Sequence, residues 1–276
     1  MEYRIELAVW TAGSVLLSVT GAQLAWHAER KPQGRTAQFR TRLTGNPFGR
    51  AFLFLLRFVY YLGLPYIALL RHALSPVVIG LLGTQTSDLP WWRLGWNLTE
   101  WAGALGWAIG LGGVAAAALA LSWWNARRAL EGELPSGGLL PAPTLLVTAR
   151  ESLYAEIHWA FYRAAPLLFI ADPYWGALVG AAIVVAEWAL DPYWRAAQSE
   201  ANGSRREALL TQIAWLALST AIFVLARNVW PIIALHVTLA WALGRWVTLL
   251  SAAGPTADHG PQTAELSPSL RKARRL

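Results

Sequence analysis

Apolar residues fill seven windows of the chain, near 7–26, 51–70, 102–122, 152–170, 175–190, 208–227 and 231–250, and polar residues collect between them. A helix that crosses about 30 Å of hydrocarbon needs roughly 20 such residues. The pattern therefore predicts an all-α fold, a polytopic membrane bundle of about seven transmembrane helices. The second window runs on toward residue 82, but Pro65, Arg71 and Pro76 interrupt it, which predicts a tilted or broken helix. The fifth is short and needs protein neighbours at its end. The first is preceded by Met1-Glu-Tyr-Arg-Ile-Glu, which is not the basic lead-in of a secretory signal, so it reads as an uncleaved helix.

Composition agrees. Of 276 residues, 55% are hydrophobic and 14% charged, against about 25% charged in soluble domains. Arginine supplies nearly all the positive charge and is spread between the apolar runs rather than gathered in one patch, which argues against a nucleic-acid partner and leaves the lipid bilayer as the expected one. The absence of cysteine removes disulfides, thiolate metal sites and thiol nucleophiles. Lys31 and Lys272 both fall in polar segments, so no membrane-embedded Schiff base is expected.

Charge also orients the bundle. Sixteen Lys and Arg lie in 27–50, 123–150, 191–207 and the tail, whereas the alternate connections hold Arg4, Arg93 and the border residue Arg227. Cationic loops stay on the cytoplasmic side. The expected topology thus has the N-terminus outside, the C-terminus in the cytoplasm and the chain in the cell membrane. Trp91, Trp92, Trp96 and Trp101, the pair Trp123 and Trp124, and Trp175 and Trp194 stand where spans meet the interface and read as anchors. The transmembrane domain occupies 1–250, Pro/Gly-rich 132–143 is a linker within it, and 251–276 is a basic, mobile tail.

Ionisable groups inside a span are costly and usually face protein or a wet cavity. Here they are Arg57, Glu151, Glu156, His158, Arg163, Glu187, His236 and Arg245, concentrated beyond residue 150. Seven residues separate Glu156 from Arg163, which puts both on one helical face; Glu151 and His158 repeat the spacing on another, so His158 reads as a structural partner. Glu156, Glu187 and His236 sit on three helices joined by short turns, which tend to be neighbours. Two carboxylates and an imidazole suit a divalent metal such as zinc or a general base acting on water, and Arg163 suits a carboxylate or developing oxyanion. A buried Glu-Arg-Glu-His network that only fixes helix packing uses the same residues.

At these residues the chain resembles the CPBP family of intramembrane metalloproteases, the CAAX protease and bacteriocin-processing family. Ala155-Glu156-Ile-His-Trp-Ala-Phe-Tyr-Arg163-Ala-Ala-Pro166 is similar to its first motif, a glutamate pair followed by Arg, and Ala226-Arg-Asn228-Val-Trp-Pro-Ile-Ile-Ala-Leu-His236 to its last, a turn leading into a helix that carries His. The likeness covers about 145–250. It implies a helical membrane endopeptidase acting on a membrane-bound peptide or protein, with Glu156 activating water, Arg163 orienting it, and His236 a ligand or oxyanion donor. With Glu187 added from the reading of the charged residues, the candidate catalytic set is Glu156, Arg163, Glu187 and His236, and the candidate metal set Glu156, Glu187 and His236.

The chain departs from that pattern at four places, one of them a Glu156-to-Arg163 spacing longer than the family's. Ala155 replaces the first glutamate, Glu187 stands where the middle motif has His, and Ala240 takes the place of the usual Asn or Asp. Groups that act as one site lose most of their rate together, so Glu187 is either a substitute ligand or a mark that the fold persists without proteolysis. The alternatives are a catalytically inactive membrane scaffold or partner protein, and a proton or small-ion transporter in which Glu156 and Glu187 titrate along a wet path.

Overall fold

The computed structural model describes residues 2–30, 35–81, 98–129, 144–170, 172–199 and 203–252; the 132–143 linker, Trp91, Trp92, Trp96, Lys31 and nearly all of the tail lie outside them. All secondary structure among the described residues is helical: α1 (Glu2–Arg30), α2 (Arg35–Gly45), α3 (Pro47–Phe58), a π turn (Val59–Gly63), α4 (Leu64–Leu70), α5 (Leu98–Ala129), α6 (Leu145–Phe169), α7 (Pro173–Leu190), α8 (Pro192–Ser199), α9 (Gly203–Ala226) and α10 (Val229–Ala252).

Short polar side chains start these helices. Asn46, Asp172 and Asp191 each precede a proline and accept a backbone N–H two residues on, from Phe48 at 3.0 Å, Tyr174 at 2.7 Å and Tyr193 at 2.8 Å. Proline suits the first helical position because its missing donor would find no intrahelical acceptor there. Asn228 does the same for α10, accepting from Trp230 at 3.0 Å. Arg227 before it takes a left-handed φ of 48°, which lets α9 stop and α10 begin within two residues.

Among the described residues, five helices are long and apolar enough to cross a membrane: Glu2–Arg30, Pro47–Leu70, Leu98–Ser122, Pro173–Leu190 and Leu209–Ala226. They coincide with five of the seven expected spans. The other two windows fall on α6 and α10, which carry Glu156, His158, Arg163 and His236. α6 is the centre of the bundle, packing against α1, the π turn, α4, α7 and α10, and is buried without a break from His158 to Pro166. Protein surrounds the middle of α6, and that is what lets charged side chains sit there.

The broken second span has a definite form. A proline ring collides with the carbonyl four residues back, here that of Tyr61. The helix widens into the π turn just before Pro65, so that the Leu64 N–H reaches back to Val59. The turn swings Tyr60 and Tyr61 onto α6. After α4 the chain leaves the helix through His72, φ 58°, and 73–81 pack as turns with Ala73, Leu74 and Ile79 buried. Gly80, φ 73°, accepts the Val229 N–H at 3.0 Å; a side chain there would meet the Arg227 carbonyl at 2.7 Å.

α6 and α7 approach through glycine. A Cβ at Gly180 would lie 2.5 Å from the Cα of Arg163, and one at Gly176 would lie 2.7 Å from Leu167. Gly176, Gly180, Val184 and Glu187 form one buried stripe, so the spacing that closes the two helices also delivers a carboxylate to the interface. The glycines of α5 behave otherwise. Gly112 is seated against Leu235, but Gly103, Gly106, Gly110 and Gly113 meet nothing, so only part of that Gly/Ala helix serves close packing.

Candidate functional site

Two polar clusters flank α6. On the α9 and α10 side, Glu156 and Arg163 are both 0% exposed. Nδ1 of His236 lies 2.8 Å from Oε1 of Glu156, and Ser219 Oγ donates to Oε2 at 2.5 Å. Arg163 Nη1 donates to Ser219 Oγ at 3.1 Å, while its Nη2 stands 3.9 Å from Glu156 Oε2. The guanidinium also lies over the ring of Phe223 at 4.5 Å. The His236 imidazole is stacked between Trp215, centroid distance 4.7 Å, and Trp159, 5.8 Å.

On the other side of α6, Glu187 faces His158, with Oε2 and Nε2 3.6 Å apart. Ser18 donates to Glu187 Oε1 at 2.5 Å. The Tyr60 hydroxyl lies 3.3 Å from that oxygen, from His158 Nε2 and from the hydroxyl of Tyr162, which donates to Ser14 at 3.1 Å. Tyr61 stacks on Tyr154 at 5.5 Å and meets the His158 ring edge-on at 5.1 Å.

A cavity of about 610 Å³ joins the two clusters. Its wall includes His236 from one and His158 and Glu187 from the other, together with Trp159, Trp188 and Trp215, while Arg57 and Glu151 also line it. Arg57 forms a bidentate pair with Glu151, which Arg150 also contacts at 2.7 Å. Glu156 lies behind His236 in the packed interior.

Several expected residues meet and one moves. Glu156, Arg163 and His236 come together as the sequence spacing and helix order implied. Glu187 does not join them: α7 packs on the face of α6 that presents His158, so Glu187 is drawn to that imidazole. The three expected ligands are accordingly split between two clusters, and among the described residues no group of three His, Asp or Glu side chains is gathered closely enough to hold a metal ion. The Glu156 cluster does not fit a dication either. Its carboxylate oxygens are committed to His236 and Ser219, and the adjacent guanidinium repels positive charge.

Outside the site, Arg245 is exposed with its guanidinium 5.5 Å from the Trp241 ring, and Trp194 stacks on Trp188 at 4.4 Å. Sequence reasoning missed Ser219, Ser14, Ser18, Tyr60 and Tyr162. Ser14 and Ser18, four apart on an apolar helix, were the available signal for one face of α1; Ser219 had none beyond its burial in an apolar run. No family model matches the chain, and no curated protein or solved structure matches it.

Proposed function

We propose that the chain is a CPBP-like, multi-pass protein of the cell membrane that hydrolyses peptide bonds of a membrane-bound substrate. In this reading seven helices cross the bilayer, α6 and α10 included, with the N-terminus outside and the C-terminus in the cytoplasm. The observation that carries it is a histidine on a cavity wall, His236, backed by a fully buried carboxylate, Glu156.

That arrangement has a chemical consequence. A carboxylate that accepts from Nδ1 fixes the imidazole tautomer and leaves Nε2 as the basic nitrogen. His236 then takes a proton from water as the oxygen attacks the scissile carbonyl, and returns it to the leaving amine. Glu156 and the faces of Trp159 and Trp215 stabilise the imidazolium formed in between. Ser219, which Arg163 holds in turn, donates to the second carboxylate oxygen, so Glu156 keeps its aim. Glu156 is therefore a positioning residue here and His236 the base, which reverses the roles the family likeness implied; no metal takes part in the step as written.

The test is cleavage by the full chain in liposomes of a library of membrane-spanning and lipidated peptides, read by mass spectrometry. Glu156→Gln and His236→Ala are each expected to abolish cleavage while the protein remains folded. Cleavage retained in either variant overturns the role assigned to it, and a wild-type chain that cleaves nothing overturns the hydrolase reading. The second reading, a scaffold on the same fold, draws on the sealed position of Glu156, Ser219 and Arg163, which packing alone accommodates; it expects no cleavage and a stability loss in both variants.

A further inference from the structure

The charged cluster that joins α3 to α6 is unbalanced. Arg57 and Arg150 both turn to Glu151: Arg57 Nη1 donates to Oε1 at 3.2 Å and Nη2 to Oε2, while Arg150 Nε and Nη2 donate to Oε1 at 3.0 and 2.7 Å. Among the described residues neither guanidinium meets a second carboxylate. Two cations therefore share one anion, and one positive charge is left over. A guanidinium carries about five N–H donors in a planar fork, and each gives two of them to Glu151, so both keep donors for a further anion.

The setting of that charge narrows what can answer it. The Arg57 side chain is half-exposed. Phe54 and Phe58 are exposed beside it on α3, and Leu146 and Val147 are exposed one turn before Arg150 and Glu151 on α6. The Arg150 guanidinium lies 5.6 Å from the Phe54 ring. A water-borne anion gains nothing from such surroundings, whereas a lipid brings a charged phosphate and apolar chains together. Basic pockets between membrane helices take lipid headgroups in this way, and a guanidinium fork matches two phosphate oxygens at once. We infer that Arg57 and Arg150 hold the phosphate of one anionic phospholipid where α3 meets α6, its acyl chains lying on the exposed apolar residues around them. The site needs these helices to meet lipid but no peptide to be cut, so it goes beyond the hydrolase reading and stands apart from it.

Native mass spectrometry of the full chain released from maltoside micelles tests it, with phosphatidylglycerol as the anionic probe and phosphatidylcholine of the same acyl chains as the net-neutral one. The first phosphatidylglycerol is expected to bind at least tenfold more tightly than phosphatidylcholine. Arg57→Gln and Arg150→Gln are each expected to weaken it at least fivefold. Arg195→Gln, on α8, which packs on α1, α7 and α9, is expected to change it less than twofold. Glu151→Gln releases both guanidiniums and is expected to tighten binding at least threefold, a direction that damage to the fold does not produce; this variant decides the matter even if neither arginine variant folds. Equal affinity for the two lipids, equal losses from Arg195→Gln and Arg57→Gln, or weaker binding in Glu151→Gln overturns the site. Glycerol 1-phosphate, the headgroup chemistry without chains, is expected not to displace the lipid at equal concentration; displacement assigns the arginines to a small soluble anion and overturns the lipid.

Discussion

Arg163 and Arg57 show how differently one residue type behaves according to its surroundings. Arg163 is sealed against Glu156, Ser219 and Phe223, whereas Arg57 is half-exposed in its pair with Glu151. Removing one partner of a buried ion pair leaves the other charge uncompensated and costs about 3–5 kcal/mol; an exposed pair contributes about 0–1 kcal/mol. Arg163→Ala is therefore expected to lower the unfolding midpoint in detergent far more than Arg57→Ala, and equal midpoints would contradict the assigned burial. At this scale the sequence was informative about direction and about the grouping of Glu156, Arg163 and His236, and silent about the partner of Glu187. The seven-residue spacing placed Glu156 and Arg163 on one face and His158 on another. Nothing in it told Glu187 which of those faces α7 would meet, because that choice is made by tertiary packing and not by periodicity.

The helices themselves were legible where the apolar window was long. Five spans follow from length and hydropathy, and α6 and α10 from the same windows despite their charges. The π turn was visible only as a break, since Pro65 announces a steric conflict without saying how the chain resolves it. The contact between α6 and α7 has a sharper basis: Gly180 sits where any Cβ would strike the backbone of Arg163. Gly180→Ala is expected to push α7 off α6, separate Glu187 from His158 and lower thermal stability by several degrees. Gly106→Ala, on the open face of α5, is expected to leave the midpoint unchanged or raise it slightly, because alanine is the better helix former by about 1 kcal/mol. A thermal-shift comparison of the two variants decides between a packed and an incidental glycine.

For the molecule as a whole, contacts between elements sort the described helix ends into two groups. Glu6 near the start of α1 pairs with Arg71 after α4 at 2.9 Å, and the turn at Gly80 meets the start of α10. At the other end of the bundle Gln23 donates to the Leu190 carbonyl at 3.1 Å, Trp26 meets Tyr193, and Arg57 meets Glu151. Arg30, Arg50, Arg150 and Arg195 belong to this second end, the one that the proposed topology turns toward the cytoplasm. A cysteine-free chain makes the assignment directly measurable. Single-cysteine variants Arg50→Cys and Arg195→Cys are expected to react with an impermeant maleimide only from the cytoplasmic side, and Arg4→Cys and Arg227→Cys only from outside; the opposite pattern would invert the topology.

The central place of α6 bears on how the protein is made. Ser219 and His236 lie 63 and 80 residues beyond Glu156, so they leave the ribosome well after it. The helix least able to rest in lipid alone therefore emerges before the groups that satisfy it. α7 follows at once and covers His158, but Glu156 has only Arg163 for company until α9 and α10 arrive. Through that interval Glu156 lacks the groups that satisfy it in the finished fold, and the polar cluster is completed only when the last helix docks.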